Sequence, residues 1–71
     1  MNVNSRKFIK LGVNLKSARK QKGLTQEHLA TKVRVSPTYI GFIEQGQRNP
    51  SLKTLDKIAR VLSIKITDLI S

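Results

Sequence analysis

Residues 25–45 read Thr-Gln-Glu-His-Leu-Ala-Thr-Lys-Val-Arg-Val-Ser-Pro-Thr-Tyr-Ile-Gly-Phe-Ile-Glu-Gln, and this stretch decides the fold of the 71-residue chain. Its apolar residues recur at helical spacing, which predicts two short helices over about 25–33 and 36–45. Thr25 and Ser36 are favourable N-caps, and Pro37 suits the first position of the second helix. Two short helices separated by so few residues indicate a helix-turn-helix.

The flanking sequence predicts three further helices, over about 5–21, 51–62 and 66–70. Gly23 ends the first, and Ser51 caps the fourth. The expected inner positions of these two helices are Phe8, Leu11, Leu15 and Ala18, then Leu52, Leu55, Ile58, Ala59 and Leu62. No strand pattern is present. We therefore expect an all-α fold, a compact five-helix bundle in which residues 1–71 form a single helix-turn-helix domain.

The composition excludes several classes of function. The chain has no cysteine, one histidine and only four carboxylates, which offer no nucleophile–base pair and no metal site. We expect no enzyme activity, no cofactor and no small-molecule ligand. No apolar run approaches the roughly 18 residues that span a bilayer, and no secretory signal is visible. These features favour a cytoplasmic protein without a membrane partner.

The charge of the chain is strongly positive. Fourteen Lys and Arg against four Asp and Glu give a formal charge of +10. Residues 1–22 carry the basic side chains Arg6, Lys7, Lys10, Lys16, Arg19, Lys20 and Lys22, with no acidic one. A single lysine is most simply a solvated part of a helix face, but the unneutralised excess predicts an anionic partner such as nucleic acid.

Two charged residues fall at positions where a solvated side chain is not expected. At ~100° per residue, Arg19 lies beside the apolar stripe of the first helix and should need a buried partner. In the third helix Ile40 and Ile43 point inward, with Glu44 at their edge. The opposite side of that helix carries Thr38, Gly41, Phe42 and Gln45.

Four segments, in order and with fixed gaps, resemble the Cro and phage-repressor type of helix-turn-helix domain, the lambda-repressor-like fold. They are Gly23-Leu24-Thr25-Gln26-Glu27-x-Leu29-Ala30, Val35-Ser36-Pro37-Thr38-Tyr39-Ile40, Ile43-Glu44-x-Gly46-x-Arg48-x-Pro50-Ser51-Leu52 and Leu55-x-x-Ile58-Ala59-x-x-Leu62. Within them, Thr38-Tyr39-Ile40 and Arg48-Asn49-Pro50-Ser51-Leu52 also resemble small controller proteins of restriction–modification systems. The resemblance extends from Leu11 to Ile70.

This resemblance implies roles for individual residues. The positions from which the family reads base edges are Pro37, Thr38, Gly41 and Phe42. The positions expected at the DNA backbone are Gln26, Tyr39, Gln45, Arg48 and Asn49. Arg19 and Glu44 match a partly buried structural ion pair. Two side chains have alternatives, since Phe42 could instead pack into the protein or a dimer contact, and Tyr39 could be partly packed with its hydroxyl in solvent.

The sequence departs from the family pattern in two places. Arg34 stands in the turn where the family has glycine, at a cost of about 1 kcal/mol if the backbone there is left-handed. Pro37, Gly41 and Phe42 cannot make base-specific side-chain hydrogen bonds, whereas Thr38 can. Direct reading of the DNA sequence should therefore be sparse, and binding should depend more on phosphates, water and DNA shape.

The favoured function is a sequence-specific double-stranded DNA-binding transcriptional regulator, a repressor acting as a homodimer on a palindromic operator. The expected dimer interface is the apolar C-terminal end, comprising Ile64, Ile66, Leu69 and Ile70, with the Ile9 and Val13 edge of the first helix as the alternative surface. The alternative function is an antitoxin or accessory protein-interaction module with secondary DNA binding.

Overall fold

The computed structural model describes the backbone of residues 3–71 and the side chains from Phe8 onward. This part of the chain contains five α-helices and no strand: α1 Val3–Gln21, α2 Gln26–Val33, α3 Pro37–Glu44, α4 Leu52–Leu62 and α5 Ile66–Ile70. The expected all-α fold is confirmed. α1 begins two residues earlier than predicted, because no proline or glycine precedes Ser5 to stop it.

Three hydroxyl side chains set the starts of the central helices. Thr25, Ser36 and Ser51 each accept a hydrogen bond from the backbone N–H three residues further on. The distances are 3.0 Å to His28, 3.0 Å to Tyr39 and 3.1 Å to Thr54. The residue predicted to begin each of these three helices is therefore its N-cap, and the helix itself begins one residue later.

The turn between α2 and α3 is made by a left-handed residue. Arg34 has φ 67° and ψ 46°, and its backbone N–H donates to the carbonyl of Thr31 at 3.3 Å. Val35 then donates to the carbonyl of Ala30 at 3.0 Å. These bonds satisfy the last carbonyls of α2 and reverse the chain within three residues. The tight turn thus forms without the glycine that would favour it.

One core lies between the five helices: α3 packs on α1 and α2, α4 packs on α2 and α5, and α5 packs on α1. Its buried members are Leu11, Leu15, Leu29, Ala30, Val33, Ile40, Ile43, Leu55, Ile58, Ala59, Leu62 and Leu69. Leu52, which we expected inside, is 70% exposed. It stands at the first position of α4, beyond the edge of the core, where Pro50 is buried instead.

The C-terminal helix docks on the chain's own core. Leu69 is fully buried, and Asn14 of α1 donates from Nδ2 to the carbonyl of Leu69 at 2.9 Å and to that of Ser71 at 3.3 Å. Ile64 and Ile66 are half-buried against the core, which leaves Ile70 as the exposed apolar residue of this end. The expectation that Leu69 belongs to an exposed interface is wrong, because the long α1 covers it.

Candidate nucleic-acid interface

The N-terminus of α2 and the outer face of α3 together form an open cleft of about 740 Å³. Its lining residues are Arg19, Lys20, Gly23, Leu24, Thr25, Gln26, Glu27, Pro37, Thr38, Gly41, Phe42 and Gln45. The structure thus brings together six of the residues that the resemblance assigned to DNA contacts. Pro37 and Thr38 are exposed at the start of α3, and Phe42 and Gln45 are exposed one and two turns further on.

A buried ion pair joins the end of α1 to the end of α3. Arg19 Nε donates to Glu44 Oε2 at 2.6 Å, and its Nη2 donates to Oε1 at 3.1 Å. The remaining guanidinium nitrogen, Nη1, donates to the carbonyl of Leu24 at 2.7 Å. Only 8% of the arginine side chain and 3% of the glutamate side chain are exposed. The bidentate geometry fixes the orientation of α3 on α1.

Gln26 is part of the same network. Its Nε2 donates to Glu44 Oε1 at 3.0 Å. Its amide also lies across Gly41, where an added Cβ would be 3.7 Å from both Nε2 and Oε1 of Gln26. Gly41 is therefore buried beneath Gln26 and contributes the floor of the cleft, not an exposed reading position, which corrects its placement from the sequence.

The other expected backbone-contacting residues lie outside this cleft. Tyr39 is half-buried and packs against the core. Arg48 is exposed in the loop after α3. Asn49, in the same loop, lines a separate cleft of about 390 Å³ whose other lining residues are Phe8, Leu11, Leu55 and Ile70. Any DNA contact by these three side chains would therefore flank the central cleft.

His28 has a local structural role that the sequence reading missed. Its Nδ1 accepts a hydrogen bond from the backbone N–H of Thr25 at 3.3 Å, while its own N–H donates to the Thr25 hydroxyl. This reciprocal pair closes the N-terminus of α2 as a capping box does, with histidine in the place of the usual Glu or Gln. The signal was present in the sequence as a threonine three residues before a side-chain acceptor.

The exposed charged side chains that line the cleft are Lys20 and Glu27, because Arg19 is paired with Glu44 and buried. Lys20 lines the cleft, and Lys16 and Lys22 are exposed nearby in sequence. The side chains of Arg6 and Lys7 lie outside the described residues. Within the described range, no cluster of three potential metal ligands occurs. No helix in that range is long and apolar enough to cross a bilayer.

A short braced helix followed by a second helix with an exposed outer face is the arrangement with which helix-turn-helix proteins enter the major groove. The fold and the cleft therefore define a DNA-binding protein of the helix-turn-helix class. The helix-turn-helix family model matches residues 15–69. The chain belongs to this family.

Similarity to individual proteins agrees with this membership. An uncharacterized HTH-type transcriptional regulator of Archaeoglobus fulgidus is 47% identical over 78% of this chain and 79% of the relative. The immunity repressor protein of Bacillus phage phi105 is 38% identical over 84% of this chain, which spans only 42% of the phage protein. The crystal structure of the restriction-modification controller protein C.AhdI from Aeromonas hydrophila superposes with a TM-score of 0.83 at 40% identity, covering 87% of this chain and 94% of the controller. By fold and family this chain is a DNA-binding transcriptional regulator.

Proposed function

We propose that the chain is a non-enzymatic cytoplasmic repressor that binds a palindromic operator as a homodimer. The observation that carries this proposal is the cleft that joins the N-terminus of α2 to the outer face of α3, on a chain with a formal charge of +10. One such unit covers about one face of the major groove, so two-fold pairing on a palindrome supplies the remaining contacts. Occupation of a promoter needs no further surface, which favours repression.

Within the cleft, base reading falls to two exposed side chains of α3. Thr38 can donate or accept a hydrogen bond at a base edge, and Phe42 can pack on a thymine methyl group. Pro37 shapes the start of the helix without a donor of its own. Because so few polar groups face the bases, the operator should be selected in part by DNA shape and deformability.

Contacts to the DNA backbone come from the surroundings of the cleft. Gln26 at the start of α2 and Gln45 at the end of α3 would contact phosphates on either side of the groove. Tyr39, Arg48 and Asn49 would extend these contacts along the flanking backbone. Such contacts position the protein and supply affinity without carrying sequence information directly.

For the dimer we propose a contact at the C-terminal end, centred on Ile70. This residue is exposed and lines an apolar cleft of about 390 Å³ together with Phe8, Leu11 and Leu55. Ile64 and Ile66 would support the contact from their half-buried positions. A contact away from α3 can hold the two recognition helices about 34 Å apart, one turn of B-DNA.

Selection of bound sites from random duplex DNA tests the proposal directly. We expect an enriched palindrome whose affinity falls by about 10³–10⁵ between ~50 and ~200 mM salt if the dimer neutralises ~6–10 phosphates. Thr38→Ala and Phe42→Ala should change which bases are preferred, whereas Arg48→Ala should weaken binding to all DNA sequences by a similar factor. No enrichment, or a flat salt response, would contradict DNA binding.

A second candidate function is an accessory or antitoxin-like module that grips another protein. It is favoured by a second cleft, at the C-terminal ends of α2 and α4, away from the face proposed for DNA. Its lining residues are Lys32, Val33, Arg34, Lys57, Arg60 and Val61. Arg60 is paired with Asp56 at 3.0 Å, and the remaining cations Lys32, Arg34 and Lys57 around an aliphatic floor would suit an acidic protein segment. Elution as a heterocomplex with the product of a neighbouring gene, and loss of that complex in Lys57→Glu, would support this function.

A further inference from the structure

The side-chain amide of Gln26 is held by Glu44 before any ligand arrives. Its Nε2 donates to Glu44 Oε1 at 3.0 Å, and the same oxygen accepts from Arg19 Nη2 at 3.1 Å. The amide lies over Gly41, where an added Cβ would be 3.7 Å from its Nε2 and Oε1. A glutamine side chain on a helix surface has several rotatable bonds, and the hydrogen bond to Glu44 restricts them.

The chemistry of the partner decides which end of the amide points outward. An ionised carboxylate accepts hydrogen bonds and donates none, so it can hold the NH₂ end of Gln26 but not its carbonyl oxygen. One of the two amide hydrogens is then bound to Glu44. The second amide hydrogen and Oε1 remain for the cleft. A phosphate oxygen is also an acceptor only, so it can use the second hydrogen alone.

We propose that Glu44 is a positioning residue for DNA binding: held by Arg19, it orients the Gln26 amide over Gly41 so that one N–H is directed to a DNA phosphate. This inference rests on the proposed function. Glu44 itself is buried and does not reach the DNA. Its effect on binding passes through Gln26, while its ion pair with Arg19 keeps the carboxylate in place.

This arrangement limits the size of the side chain at position 41 in α3. A Cβ at position 41 would touch the Gln26 amide without overlap, so alanine is accommodated. A leucine side chain would reach further and displace the amide from Glu44. Gly41→Leu therefore disturbs the orientation of Gln26 while leaving both members of the ion pair intact, and Gly41→Ala is its matched control.

The test combines spectroscopy of the free protein with a binding cycle. In a ¹⁵N-correlated spectrum, the side-chain NH₂ of Gln26 should give two well-separated hydrogen shifts in the wild type and in Gly41→Ala. In Glu44→Gln and Gly41→Leu the shifts should move toward those of a solvated glutamine. Operator affinity should fall about tenfold per protomer, and so about a hundredfold for the homodimer, in Gln26→Met, in Glu44→Gln and in Gly41→Leu, the size expected for one hydrogen bond to a charged group in each protomer.

The double-mutant cycle separates an effect on operator affinity that passes through the Gln26 amide from a general loss of binding. In the Gln26→Met background, Glu44→Gln and Gly41→Leu should change the affinity by less than about twofold, because the amide they orient is already gone. Equal penalties in both backgrounds would overturn the proposal, as would an unchanged Gln26 amide signal in both variants. Should Glu44→Gln fail to fold, Gly41→Leu decides alone. A wild type that binds no duplex would instead refute the proposed function.

Discussion

Gly12 of α1 packs directly on the end of the recognition helix α3, against the main chain of Glu44. A Cβ at Gly12 would overlap the carbonyl oxygens of Ile43 and Glu44, which are backbone atoms that cannot rotate away. The two helices therefore touch backbone to backbone where the Arg19–Glu44 ion pair also joins them. This contact determines how closely α3 approaches α1.

Alanine substitutions at the two helical glycines, Gly12 and Gly41, should change the free energy of unfolding in opposite directions. Gly12→Ala should lower the free energy of unfolding by about 1–3 kcal/mol, because the added methyl forces α1 and α3 apart. Gly41→Ala should raise it by up to about 1 kcal/mol, since its Cβ meets Gln26 at 3.7 Å and alanine favours the helix. Urea denaturation of both variants measures the difference. Stabilisation by both would show that the close contact at Gly12 does not exist.

Removal of the arginine should destabilise the fold strongly. Arg19→Ala would leave the Glu44 carboxylate, 3% exposed, without its cation, at a cost of roughly 3–5 kcal/mol. Lys16→Ala on the exposed side of the same helix is the control and should change the free energy of unfolding by less than about 0.5 kcal/mol. Denaturation midpoints in urea report both. Equal midpoints would mean that the pair contributes nothing to stability.

Replacement of the left-handed turn residue Arg34 by glycine should stabilise the fold. Arg34→Gly should raise the free energy of unfolding by up to about 1 kcal/mol, because glycine adopts φ 67° without strain. Arg34→Ala removes the same charge but keeps the strain, so it should give no gain. Thermal melting of the two variants separates conformation from charge. If alanine stabilised the protein as much as glycine, the effect would lie in the arginine side chain.

Substitutions at the neighbouring residues Leu69 and Ile70 of α5 should affect different properties, the first stability and the second dimerisation. Leu69→Ala should cost about 2–5 kcal/mol of stability because its side chain is buried in the core. Ile70→Glu should instead leave stability nearly unchanged and shift the dimer toward monomer. Val13→Glu is the matched control, since Val13 is 59% exposed and Ile70 is 55% exposed. Sedimentation equilibrium measures the oligomeric state of Ile70→Glu and Val13→Glu. If only Val13→Glu produced a monomer, the dimer interface would lie on α1 instead.

The sequence predicted most of the fold because its signals are local. Apolar spacing located five helices, and hydroxyl residues and Pro37 marked their starts to within one residue, apart from the start of α1. The helical repeat also placed Arg19 and Glu44 on inner helix edges, and these inferences need only that repeat and the chemistry of helix ends. The pairing of the two residues came from the family resemblance.

What the sequence could not give depends on how separate helices meet. The burial of Gly41 follows from the path of the Gln26 side chain across it, and the burial of Leu69 follows from the length of α1 and the hydrogen bonds of Asn14. Leu52 fits the apolar pattern of α4 but lies past the edge of the core. These outcomes are set by distances between elements, which periodicity along one helix does not contain.

The ion pair between residues 19 and 44 has a consequence for protein engineering. α2 and α3 are oriented by Arg19 and Gly12, which both lie upstream of the helix-turn-helix itself. A peptide covering only residues 24–45 would expose Ile40, Ile43 and an unpaired Glu44 to water. The surface that we propose for DNA binding therefore cannot be transferred as a short segment, and a graft onto another scaffold would have to include the second half of α1.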